Sequence, residues 1–131
     1  MKKLGCIMLI DDSETDNFIH SRRFNKMELT DQIIIRQDGK QGLEYLSSAG
    51  PDGRPDLLFL DINMPVMNGW EFLDAYGELP EDRRARVTIV MLTSSVGDKD
   101  LTRAENYPVI DGHEAKPLTR DKLRGLLGRH F

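Results

Sequence analysis

Cysteine is almost absent from this sequence, and the one present, Cys6, has no partner for an internal disulfide. Its place inside an apolar run makes it a buried thiol rather than a reactive one. No apolar stretch approaches the ~20 residues of a membrane span. The opening Met1–Ile10 runs straight into Asp11 and Asp12 without a small-residue cleavage site. A cytoplasmic protein without membrane insertion is therefore expected. Positive charge is not in excess, because 18 Lys and Arg against 22 Asp and Glu leave a net charge of −4. The clustered basic face needed for nucleic acid or an anionic membrane surface is missing, so direct nucleic-acid binding is not expected. Proteins or small anions are the expected partners. Repeats, linkers and low-complexity tracts are missing too. The chain has 131 residues, 39% of them hydrophobic, and is sized for one domain spanning residues 1–131.

What is present is a regular alternation. Five short apolar runs recur: Cys6–Ile10, Ile33–Ile35, Leu57–Leu60, Val87–Leu92, and Val109–Ile110 with its neighbours. Each reads as a strand, and their near-continuous apolar character suits a parallel sheet covered on both faces. Helical spacing fills the intervals. Phe18, Ile19 and Met27 mark the first helix, Leu43 and Leu46 the second, and Phe72, Leu73 and Tyr76 the third, which Pro80 would stop. The fourth, over residues 98–106, is weakly apolar, with Leu101 and Ala104 as inward candidates. In the last, Thr119 caps the start, Leu118 and Leu123 hold staple positions, and Leu126 and Leu127 follow on the same face. Asp38–Gly39 and Asp52–Pro55 read as turns. Five strands alternating with five helices predict a doubly wound α/β sheet with right-handed crossovers, and ligands outside the carboxyl ends of the strands.

That rule directs attention to the residue after each apolar run. The first strand ends in Asp11 and Asp12, the third in Asp61 and the fourth in Thr93; the fifth is followed by Lys116 and Pro117. Four segments thus bring three carboxylates, a hydroxyl and an ammonium to one edge. Three converging carboxylates repel one another, and Lys116 offsets only part of that charge. A bound dication would resolve it. Hard oxygen ligands, with no Cys or His cluster nearby, favour Mg²⁺ or Mn²⁺ over zinc. Taken alone, one Asp after a strand would read as a helix cap; the set of five reads as a site.

Together these residues and the run Leu60–Gly69, Thr93-Ser94-Ser95 and Lys116-Pro117-Leu118 closely resemble the receiver domains of two-component response regulators, over almost the entire chain. The resemblance implies a flavodoxin-like (βα)5 fold with strand order 2-1-3-4-5. It also implies a phosphoacceptor at Asp61, metal bound by Asp11, Asp12, Asp61 and the backbone carbonyl of Asn63, and phosphoryl oxygens met by Thr93 and Lys116. The implied donor is a sensor histidine kinase or histidine phosphotransfer protein. The output is a changed surface for a downstream target protein, and the chain is a signalling switch rather than an enzyme in its own right. The Lys116–Pro117 bond resembles one usually cis in this family. Arg22, Arg23 and Lys26, beside Phe18 and Ile19, stand on the helix that receivers commonly present to the phosphodonor.

One position departs from the pattern. Three residues before the lysine, where most receivers carry an aromatic that turns inward on activation together with Thr93, this chain has His113. A switching role for His113 and an exposed bystander role are both open to the sequence. Trp70 reads equally as a reporter of the crevice and as a packing residue. The enzymatic rival, a haloacid dehalogenase-type Mg²⁺-dependent phosphatase, normally needs a second Asp two residues after its nucleophile. Asn63 stands there and cannot transfer a proton. A flavin mononucleotide carrier would need a hydroxyl-rich phosphate loop after the first strand, where the acidic stretch 11–16 would instead repel a phosphate.

Overall fold

The computed structural model describes residues 3–64, 67–92 and 98–131. Its elements alternate: β1 (Leu4–Ile10), α1 (Glu14–Lys26), β2 (Thr30–Arg36), α2 (Gly39–Ser48), β3 (Leu57–Asp61), α3 (Gly69–Tyr76), β4 (Val87–Leu92), α4 (Asp98–Ala104), β5 (Gly112–Ala115) and α5 (Arg120–His130). The strands form one parallel sheet in the order β2-β1-β3-β4-β5. The expected α/β doubly wound, flavodoxin-like arrangement is therefore the one observed.

The continuous apolar runs are two interleaved faces. Met8 and Ile10 of β1, Leu58 and Leu60 of β3 and Val90 of β4 join Leu46, Phe72, Leu73 and Tyr76 in one core layer. Ile7 and Leu9, Leu57 and Phe59, and Ile89 and Met91 join Phe24 of α1 and Leu123, Leu126 and Leu127 of α5 in the other. Helices α1 and α5 thus cover one side, and α2 and α3 the opposite side. Each fully buried Leu or Ile contributes about 1.5–3 kcal/mol of transfer free energy, so this double layer holds the sheet edge in place.

Helix starts are set by local polar chemistry. Ser13 accepts from the Asp16 N–H, Asp38 from Gln41 and Thr119 from Lys122, while Asn68 and Glu71 form a reciprocal capping box. Each cap is worth about 1 kcal/mol. Asp38 is therefore the cap of α2 rather than part of a free turn, and Pro51–Gly53 forms a 3₁₀ turn before β3. Helix α3 ends at Tyr76, ahead of Pro80.

Two expectations need correction. The fifth strand does not run through Val109 and Ile110. Ile110 N–H closes a turn on Tyr107, Asp111 N–H donates to the Thr88 carbonyl at 2.8 Å, and the Asp111 carboxylate takes the Thr88 N–H at 2.8 Å. Pairing with β4 then continues through Gly112–Ala115. Val109 and Ile110 pack onto the core from the loop. An edge strand that is only partly covered needs little apolar character, so apolarity pointed to the wrong residues.

Helix α1 is also rotated from the expected phase. Phe18 and Ile19 are 65% and 41% exposed, and the buried positions are Asn17, His20 and Phe24. The helix buries polar groups at its N-terminal end because that end faces the polar rim of the sheet.

Candidate functional site

Asp11 follows the last residue of β1, Asp61 ends β3, and Lys116 follows the last residue of β5. Because Ile10 is paired with Leu60, the two aspartates leave neighbouring strands one step later, side by side. One oxygen each of Asp11, Asp12 and Asp61 lies within 4.8 Å of the others. Asp11 is fully buried, Asp61 is 4% exposed, and Asp12 stands open to solvent. Neither Asp11 nor Asp12 caps α1, since Ser13 does so.

The Lys116 ammonium lies among the carboxylates, 2.7 Å from Asp11 Oδ2, 2.9 Å from Asp16 Oδ2 and 3.5 Å from Asp61 Oδ2. Burial disfavours its charge, but hydrogen bonds to Asp11 and Asp16 and the charge of Asp61 more than offset this and hold its pKa above the usual lysine range. Asp61 shows the reverse. Burial first, and then the charge of Asp11, raise its pKa from 3.8 to about 7, against the opposing pull of Lys116 and of the Asn63 N–H. One ammonium does not neutralise this group of carboxylates.

Asn63 is exposed, and its N–H donates to Asp61 Oδ1 at 3.2 Å. Gly69 opens α3 directly behind the end of β3. A Cβ there would sit 2.7 Å from Ile62 Cα and 2.9 Å from the Asp61 carbonyl, so only glycine allows this approach. The Lys116–Pro117 bond is cis. Thr93, with Ser94 and Ser95, and Pro65 and Val66 of the segment that follows Asp61 lie outside the described residues. His113 is exposed on β5, away from the carboxylates, beside a groove of about 240 Å³ that Leu101, Ala104 and Ile110 also line. Trp70 is a packing residue, 5% exposed, with its ring stacked on Tyr107 at 5.6 Å and the Arg103 guanidinium 4.6 Å from its centre.

Sequence reasoning missed Asp16 and His20, and read Arg23 only as an outward-facing basic residue; all three α1 residues reach the segment carrying Lys116. Their spacing of four and three was readable, but only with the phase of the helix already known. The buried thiol of Cys6 is as expected, its pKa pushed up to about 11 by burial and by Asp56.

The donor set fits a hard dication. Three carboxylates converge, one of them is open to solvent for entry, all the donors are oxygens, and burial together with the charge of Asp11 raises the Asp61 pKa in the absence of a further cation.

A sequence profile described as the response regulator receiver domain matches residues 7–127. The chain is 31% identical over 121 residues to a probable methanogenesis regulatory protein, FilR2, of Methanothrix harundinacea, covering 90% of this chain and 76% of that one. It spans only 7% of the hybrid signal transduction histidine kinase B of Dictyostelium discoideum, to which it is 28% identical. Among solved structures, a receiver protein of Dyadobacter fermentans matches with a TM-score of 0.81 at 35% identity, over 96% of this chain and 97% of that one. A two-component response regulator of Cytophaga hutchinsonii gives a TM-score of 0.83 at 30% identity, over 98% and 97%. No helix of the described residues is long and apolar enough to cross a membrane.

The electrostatics predict a pH dependence. Asp61 ionises near 7 when folded and near 3.8 when unfolded, so its contribution to metal-free stability is fully present below pH ~4 and lost as pH rises through 7. Asp61→Asn should therefore stabilise the metal-free chain more at pH 8 than at pH 5. Saturating Mg²⁺ should stabilise the unsubstituted chain by about 2.7 kcal/mol at a hundredfold excess over Kd. Thermal melts at the two pH values check both; an equal gain from Asp61→Asn at pH 5 and pH 8 would contradict the assignment.

Proposed function

Because the chain belongs to the response regulator receiver family, the phosphorylation-dependent switches of two-component signalling, we propose that Asp61 is its phosphoacceptor. One observation carries this choice among the three carboxylates. Asp11 is fully buried, with Oδ1 accepting from the Ser13 N–H at 2.9 Å and Oδ2 in a close ion pair with Lys116 at 2.7 Å, and Asp12 is exposed. Asp61, 4% exposed at the end of β3, has Lys116 at the longer distance of 3.5 Å, so it is the less tightly ion-paired of the two buried carboxylates and the freer to form a new bond.

A divalent cation, Mg²⁺ or Mn²⁺, held by Asp11, Asp12 and Asp61 with the Asn63 carbonyl, supplies the positive charge that keeps the acceptor ionised and balances the phosphoryl oxygens. An Asp61 oxygen attacks phosphorus, and the phosphorus–nitrogen bond of a donor phosphohistidine breaks with its electron pair leaving on the imidazole. Lys116 and Thr93 are the groups proposed to meet the phosphoryl oxygens. Water attack on phosphorus later releases phosphate and returns the carboxylate. The protein thus contributes to its own phosphorylation and dephosphorylation without being an enzyme acting on a separate substrate. The family decides against the phosphatase rival.

The phosphodonor is a sensor histidine kinase or a histidine phosphotransfer protein, and we place its docking surface on the outer face of α1. Exposed Phe18 and Ile19 lie there with Arg22, Arg23 and Lys26, and Arg120 of α5 completes a groove of about 330 Å³. An apolar patch within a basic rim suits a helical partner with acidic residues around an apolar stripe. On the output side, His113 is proposed to report activation to a downstream target protein from the groove it shares with Leu101 and Ala104.

Incubated with Mg²⁺ and acetyl phosphate, the chain should gain one phosphoryl group by intact mass and Asp61→Asn none; equal labelling of both would remove Asp61 as acceptor. The double charge reversal Arg22→Glu/Lys26→Glu should slow transfer from the phosphorylated kinase by roughly tenfold while leaving labelling by acetyl phosphate unchanged, and a rate unaffected by the reversal would place docking elsewhere. Replacing His113 by Ala should weaken the phosphorylation dependence of target binding; binding that still responds fully to phosphorylation would make His113 a bystander.

A further inference from the structure

Phosphoryl chemistry at this rim requires Lys116 to be aimed, yet the lysine stands on a turn rather than within a strand or helix. Three α1 side chains, Asp16, His20 and Arg23, spaced four and three residues apart, share one stripe of that helix. All three meet the segment 116–118. Asp16 Oδ2 accepts from the Lys116 ammonium at 2.9 Å, His20 Nε2 accepts from the Leu118 N–H at 3.2 Å, and the Arg23 guanidinium donates to the Leu118 carbonyl at 2.7 Å. Both backbone polar groups of Leu118 are thus satisfied by side chains of a helix nearly a hundred residues earlier in the chain.

The contacts are demanding ones. Leu118 is fully buried and His20 is 2% exposed, so a Leu118 N–H without its acceptor would be stranded away from water. The same helix grips the other side of the site. Asn17 Nδ2 donates to the Asp11 carbonyl at 2.9 Å, and Ser13, the α1 cap, donates its N–H to Asp11 Oδ1. One rigid element therefore holds hydrogen bonds to the carboxylate that pairs with Lys116 and to the turn that carries it.

We infer that α1 is the positioning element of the lysine: His20 and Arg23 clamp Leu118 from its two backbone groups, and Asp16 holds the ammonium, so that Lys116 is presented to the acceptor. This rests on the reading of Lys116 as the group that meets the phosphoryl oxygens. His20 and Arg23 touch neither the acceptor nor the ammonium, so they are positioning residues rather than catalytic ones. Arg23 also lines the basic groove on the outside of α1, and a partner seated there acts on the same side chain that fixes the turn.

The test uses the full chain and acetyl phosphate, so that loss of kinase docking at Arg23 does not enter. His20→Leu removes the acceptor at similar volume, Arg23→Met removes the donor, and His20→Gln keeps an acceptor. Hydrogen exchange of the Leu118 amide, the phosphorylation rate at saturating acetyl phosphate and Mg²⁺, and Mg²⁺ affinity by calorimetry are measured for each. Faster Leu118 exchange and phosphorylation slowed roughly tenfold to a hundredfold are expected for His20→Leu and Arg23→Met. Mg²⁺ affinity should stay within about twofold, since every carboxylate remains, and His20→Gln should recover most of the rate. A folded variant that phosphorylates at the normal rate, a rate loss matched by an equal loss of Mg²⁺ affinity, or no recovery with Gln would each overturn the inference. Should His20→Leu fail to fold, Arg23→Met carries the same comparison. Exchange at Leu118 involves no phosphoryl transfer, so failure of the clamp and failure of the acceptor reading are seen separately.

Discussion

The structure turns on a deliberate electrostatic imbalance: carboxylates crowded at the carboxyl edge of a parallel sheet, with one ammonium among them. Left to themselves, Asp11 and Asp61 would separate or protonate, and burial first, with the charge of Asp11 added to it, raises the pKa of Asp61. They stay together because Ile10 and Leu60 beneath them are paired, fully buried, and locked into a core layer on one side of the sheet. Burying such residues contributes several kcal/mol in total, more than the mutual repulsion of two partly neutralised carboxylates costs. Apolar packing therefore holds together a polar site whose carboxylates outnumber its ammonium.

The same constraint explains why α1 is polar where a covering helix is ordinarily apolar. Its N-terminal half lies against the charged rim, and Asn17 and His20 are buried there to satisfy backbone groups that no strand reaches. One turn later, Phe24 rejoins the apolar layer, stacked on Phe59 at 5.7 Å. With its inner stripe spent on polar contacts, the helix carries its remaining apolar residues, Phe18 and Ile19, on the outside. A site-facing inner surface and an exposed apolar patch on the outer surface are thus two consequences of one rotation of the helix.

That rotation also marks the limit of what the sequence made legible. Four strands, the five helices, the order of elements and the residues Asp11, Asp12, Asp61 and Lys116 could be read, because each stands at the end of an apolar run and the ends of parallel strands converge. Beta-strand five could not, because its residues, Gly112-His113-Glu114-Ala115, carry no apolar signal at a half-covered sheet edge, while the adjacent Val109 and Ile110 do. The phase of α1 could not either, since a spacing rule assumes that apolar residues face inward and here tertiary hydrogen bonds override it. Asp16 and His20 were invisible for the same reason, and so was the inward contact of Arg23 with Leu118.

The far side of the sheet answers to a different balance. Among its described side chains, helix α4 offers Ala104 and the partly buried Leu101 to the core, a light hydrophobic anchor. What ties it to the neighbouring helix is a polar and aromatic stack: Arg103 over the Trp70 ring, Trp70 against Tyr107, and the Tyr107 hydroxyl donating to Asp74 of α3 at 3.0 Å. Such contacts are worth about a kcal/mol each, well below the cost of displacing a buried leucine. Trp70 itself follows Gly69, the residue pressed against the Asp61 carbonyl. Helix α4 is therefore joined to Asp61 by a short chain of contacts, each weaker than a buried leucine, and a change of a few kcal/mol at that carboxylate is large enough to disturb such a link.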